Sequence, residues 1–107
     1  MGNRISIQFV DEDNFDAPVL FSHWGGLGLL DDARYYLRDL KAEIKNKPGL
    51  KSMPLGRLEP ETITVDFIRH LTKNMDRVEG DLYLAKDETG GDNSDNGHHL
   101  IKVHENY

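Results

Sequence analysis

Asp31-Asp32-Ala33-Arg34-Tyr35-Tyr36-Leu37-Arg38-Asp39-Leu40-Lys41-Ala42-Glu43-Ile44-Lys45 is the stretch on which the fold turns. Ala33, Leu37, Leu40 and Ile44 recur at spacings of four, three and four, and Tyr36 widens the stripe. That period predicts an amphipathic helix over 31–47, with Asp31 and Asp32 as cap and first-turn acids. Lys45 and Lys47 suit its negative end, and Pro48-Gly49 stops it. Pro54, Gly56 and Pro60 continue as loop chemistry, with Leu50, Met53 and Leu55 as anchors.

Upstream the period changes to two. Ile5, Ile7 and Phe9 alternate with Ser6 and Gln8, a strand with one buried face. The acidic turn 11–16 separates it from a second apolar run, Val19-Leu20-Phe21, which predicts a β-hairpin across 4–24. Downstream, Pro60 and Glu61 suit the start of a second helix, with Ile63, Phe67, Ile68, Leu71 and Met75 as its stripe. The β-branched run 62–65 leaves a strand or frayed turn open at that start, so 66–74 is its firmer part. Leu82 and Leu84, then Ile101 and Val103, mark two more strands around a polar connection, 87–97. The order β-β-α-α-β-β predicts one α+β domain over 1–107: a four-stranded antiparallel sheet with two helices packed on one face. Leu37, Leu40, Ile44, Phe67, Ile68 and Leu71 are the expected core, and Leu40→Ala should cost about 2–5 kcal/mol.

The chain has 107 residues, no cysteine and a net charge of -6. That excludes disulfides and thiolate metal sites. No apolar run reaches the ~20 residues of a membrane span. Met1-Gly2-Asn3-Arg4 does not open a signal peptide, and a cytoplasmic protein is expected. The charge is segregated: seven basic residues stand against two acids over 34–57, and seven acids against two bases from Glu79 onward. Arg34, Arg38, Lys41 and Lys45 form a basic ridge beside Tyr35, within the one segment on which a nucleic-acid backbone could rest. A solvated helix face is the commoner meaning of such a ridge, so nucleic acid is disfavoured as a partner.

Asp92-Asn93-Ser94-Asp95-Asn96-Gly97 begins like an EF-hand calcium loop. Position twelve falls on Val103 rather than a bidentate acid, which rejects that motif. A looser divalent-cation site on Asp87, Asp92 and Asp95, with Glu88, is weighed against a solvated turn, and the turn is favoured. Five histidines are present. His98 and His104, on one face of the last strand, lie roughly 20 Å apart and cannot share a metal. Ser22-His23-Trp24-Gly25-Gly26 carries neither a dinucleotide fingerprint nor a P-loop. Ser22 and His23 point to opposite faces, which argues against a nucleophile-base pair. Trp24, the larger side chain, is expected to be buried, with His23 at the sheet end beside the last strand. Truncating Trp24 should then cost about 3–5 kcal/mol.

The opening Met1-Gly2-Asn3-Arg4, the Ser22-to-Gly26 string and the Asp92-to-Gly97 loop together resemble a group of small uncharacterised prokaryotic and phage-type proteins. That resemblance implies no activity, cofactor or catalytic residue. The functional expectation is a non-catalytic adaptor or binding domain that takes a protein or small ligand through His23, Trp24, His98 and His99, without a cofactor. Two alternatives stand beside it. One is a small metal-dependent hydrolase centred on His23 and the 87–97 carboxylates; the other is a weak nucleic-acid binder using the helix 31–47. An enzyme would need those groups to converge in one concave pocket. Oligomeric state is not specified by these patterns.

Overall fold

The computed structural model describes residues 2–46, 59–75 and 80–103. The elements are β1 (Ile5–Val10), β2 (Val19–Ser22), α1 (Gly26–Asn46), α2 (Pro60–Thr72), β3 (Leu82–Ala85) and β4 (His98–Lys102). His104, the proposed anchors Leu50, Met53 and Leu55, and Lys47 lie outside the described residues, as do the side chains of Ile44 and Lys45. Among the described residues no helix is long and apolar enough to cross a membrane.

The class is α+β, but the sheet is mixed. Its order is β3-β2-β1-β4. β1 pairs β2 antiparallel with Ile7 opposite Leu20, and β2 pairs β3 antiparallel with Phe21 opposite Tyr83. β4 runs parallel to β1, with Ser6 beside His98 and Phe9 beside Ile101. The all-antiparallel expectation is therefore corrected. A tight turn would have folded β4 back on β3, but the connection 86–97 is long enough to carry the chain across the sheet, and such crossovers join parallel strands.

Strand alternation sets the two faces. Ile5, Ile7, Phe9, Leu20 and Ile101 meet Leu29, Leu30, Ala33, Tyr36 and Leu37 of α1 and Ile63 and Phe67 of α2 in one core. Phe67 is fully buried, edge-on to Phe9 at 5.5 Å and against Tyr36 at 5.2 Å. Leu40, Ile68 and Leu71 are only half-buried at its margin. Leu40→Ala should accordingly lower unfolding free energy by about 1–2 kcal/mol in a denaturant titration, below the range for a fully enclosed leucine. The opposite face is not left to water: Ser6, Val10, Val19 and Phe21 are buried there too. Gln8 on that face donates from Nε2 to the carbonyls of Phe15 and Ala17, which folds the β1–β2 turn against it.

The start of α1 differs from the expectation, whereas α2 starts at Pro60 as its proline and Glu61 predict. α1 begins at Gly26, so Asp31 and Asp32 stand exposed a turn or more inside it rather than capping it. Leu29 and Leu30 extend the apolar stripe by a turn. Gly26 has φ +56°, its N–H donates to the Asn3 carbonyl, and an added Cβ would sit 2.1 Å from Asn3 Nδ2; glycine alone fits. α2 is helical from Pro60, because Ile63 and Thr64 are buried and the Thr64 hydroxyl donates to the Pro60 carbonyl. Met75 falls beyond α2 and is exposed, not part of its stripe.

The helices are tied by a charged hydrogen bond, Tyr36 Oη to Asp66 Oδ2 at 2.6 Å, with Arg69 Nε on Oδ1 at 3.0 Å. Burial raises the Asp66 carboxyl, but the bonds from Tyr36 and Arg69 outweigh it and hold the group below the ordinary carboxylate range. A depressed acid of this kind stabilises the fold above about pH 4 and loses that contribution as pH falls through its folded value.

Candidate functional site

β2 delivers Ser22, His23 and Trp24 to one end of the sheet. Ser22 Oγ donates to the Asp81 carboxylate at 2.9 Å, Trp24 N–H donates to Asp81 Oδ1 at 2.8 Å, and Gly25 N–H donates to Ser22 Oγ at 2.8 Å. Asp81 thus pins the backbone where the strand stops. Ser22 is fully buried in this clamp, so its hydroxyl is structural.

The expected burial of Trp24 is corrected: the residue is 60% exposed. Strand phase would have put it with Leu20, but β2 ends at Ser22 and the chain leaves the extended path before reaching it. His23 does share the side of Phe21, as alternation requires, but its neighbours come from β3 rather than the last strand. Its ring lies 4.9 Å from Tyr83 and 5.7 Å from Trp24, and Tyr83 stacks on buried Phe21 at 5.0 Å. Phe21, Tyr83, His23 and Trp24 form one aromatic row that runs from the protein interior to solvent.

The 86–97 segment borders this row. Asp92 N–H donates to Tyr83 Oη at 3.0 Å, and Arg4 Nε lies 3.4 Å from Asp92 Oδ2. Hydrogen bonds from Ser94 hold the Asp92 carboxyl below its usual range, with Arg4 and His23 adding to the effect. Asp95 Oδ2 accepts from the Arg4 backbone N–H at 2.9 Å and lies 3.8 Å from its guanidinium. Asp87 instead accepts from Thr89, in a turn of its own. His23 and Asp92 thus both meet Tyr83, one through its ring and the other through its backbone N–H, while Asp92 and Asp95 are shared with Arg4. No group of three or more His, Asp or Glu side chains is placed to hold a metal ion among the described residues.

His98 and His99 lie on the far edge, on β4. His99 Nε2 donates to the Asn96 carbonyl at 2.7 Å. His98 Nδ1 lies 2.7 Å from Ser6 Oγ, which also accepts from Asn93 Nδ2 at 2.9 Å. Ser6 is 0% exposed, so this serine–histidine contact joins strand and loop without presenting a nucleophile. The four proposed binding residues thus divide into His23 with Trp24, and His98 with His99.

On α1 the ridge residues Arg34 and Arg38 are exposed, and the Arg38 guanidinium stacks over Tyr35 at 4.8 Å. Asp31, Asp32 and Asp39 are exposed on the same helix, giving a surface of mixed sign. Tyr83, Arg4, Asp81, Ser6 and Asn93 were not singled out from the sequence. Tyr83 and Ser6 carried a local signal in their strand alternation, whereas Arg4, Asp81 and Asn93 act through partners distant in the chain. No family model matches the chain, and no curated protein or solved structure matches it.

Proposed function

We propose that the chain is a non-catalytic binding domain that presents Trp24, backed by His23 and Tyr83, to a protein partner. The observation that carries this reading is an exposed tryptophan on a fixed backbone: Asp81 clamps the Trp24 backbone N–H while the residue is 60% exposed. Aromatic side chains that are large, rigid and already positioned lose little entropy on docking and dominate interface energetics. The hydrolase reading has His23 and Asp92 meeting at Tyr83 behind it, but Asp92 and Asp95 are already engaged by Arg4. The mixed charge of α1 gives little support to nucleic acid.

Trp24 is the single tryptophan, so its fluorescence reports this surface alone. The free protein should emit as a water-exposed indole and be quenched readily by acrylamide. Proteins captured from a cell extract, then purified and titrated, should shift the emission to the blue and shield it from quencher. Trp24→Ala should weaken that binding about tenfold or more while changing stability by no more than about 1 kcal/mol. A bound partner that leaves both the emission and the Trp24→Ala affinity unchanged would remove the basis for this function.

A further inference from the structure

The 86–97 segment runs from β3 on one edge of the sheet to β4 on the other, over the face turned away from the helices. Gly91 lies against Tyr83 and Phe21, Asp92 N–H donates to Tyr83 Oη, and Asn96 N–H donates to the Arg4 carbonyl. Asn93 Nδ2 adds the contact to Ser6 Oγ, which sits 2.7 Å from His98 Nδ1. This last anchor holds a group that gains a proton near neutral pH. The buried Ser6 hydroxyl accepts from Asn93, and among the described contacts His98 Nδ1 is the acceptor within reach of its own hydrogen; satisfying that donor requires a bare Nδ1. A proton on Nδ1 turns the hydroxyl hydrogen out of the network and leaves a buried donor without an acceptor.

We propose that 86–97 is a strap latched by the Ser6–Asn93–His98 contact, and that protonation of His98 releases it, adding Phe21 and Tyr83 to the surface beside Trp24. The role in binding rests on the Trp24 reading above; the release itself is a property of the free protein. Burial of the ring holds His98 below the usual histidine range, and His99 on its own strand acts in the same direction. Glu88, from the strap, opposes them. A base depressed in the closed form favours closure above the ordinary histidine value near 6.5, and that preference fades as pH falls through it. The Asp92 carboxylate, held low by Ser94, stays ionised across this window.

Amide hydrogen exchange of the full chain tests this without any partner. After correction for intrinsic rates, the Asp92 and Asn96 amides should exchange about tenfold faster near pH 5 than near pH 7.5, the response expected from one lost buried hydrogen bond. His98→Asn keeps an amide near the Nδ1 position without a titrating proton, and should abolish that pH response. Ser6→Ala should give the faster exchange at both pH values. No acceleration in the unmodified protein, an equal acceleration in His98→Asn, or full protection in Ser6→Ala near pH 7.5 would each overturn the latch. None of these outcomes bears on whether Trp24 binds a partner, because that is read from Trp24→Ala.

Discussion

Replacing Phe67 with alanine should lower the unfolding free energy by about 3–5 kcal/mol, the largest single loss expected in this protein. The ring is fully enclosed, edge-on to Phe9 from β1 and tilted against Tyr36 from α1. Removing it opens a cavity where both helices meet the sheet, and β1 and α1 cannot close over it without breaking strand register or the Tyr36–Asp66 hydrogen bond. A domain of ordinary stability has only about 5–15 kcal/mol to lose, so the variant should melt far below the parent or fail to fold. A thermal melt within a few degrees of the parent would show that α2 does not seal this core.

The second large effect is expected at Gly91, on the other face. A Cβ there would meet the Tyr83 ring and hydroxyl at 2.7 Å and Phe21 Cδ2 at 2.8 Å, closer than real side chains approach. Phe21 is fully buried and has no room to retreat, and Tyr83 is stacked on it. Gly91→Ala should cost about 1–3 kcal/mol in a denaturant titration, with greater exposure of Tyr83. The companion Gly28→Ala, where an added Cβ meets nothing within 4 Å, should not destabilise. Equal responses at the two positions would mean that 86–97 does not press on the sheet.

Much of this architecture was legible from period alone. Ile5, Ile7 and Phe9 declared a core face, and Ala33, Leu37 and Phe67 declared the helices that cover it, because alternation and the 3.6-residue repeat report which side is apolar. Neither repeat reports a neighbour. Strand direction at β4 depended on where a polar connection would travel, and the patterning of His99 and Ile101 is the same in parallel and antiparallel pairing. Trp24 was misplaced because side-chain size argues for burial only while the strand continues, and the Asp81 clamp that ends it lies 57 residues away. The candidate site was legible in its residues but not in its grouping. His23 and Trp24 are together by adjacency, whereas Arg4 reaches Asp95 across 91 positions and Ser6 reaches His98 across 92.

The parallel pairing of β1 with β4 also carries a kinetic consequence. The hairpin β1–β2 closes a short loop and can assemble early, but the other edge of β1 must wait for a strand some ninety positions away. Closing so long a loop is penalised in entropy before any contact rewards it, and topologies dominated by such pairings fold slowly. Until β4 arrives, β1 offers an open row of backbone donors and acceptors flanked by Ile7 and Phe9, the kind of edge that other chains can join. The open edge of β1 therefore belongs to the folding chain and closes when Ile101 settles beside Phe9, after which β3 and β4 are the edges of the sheet.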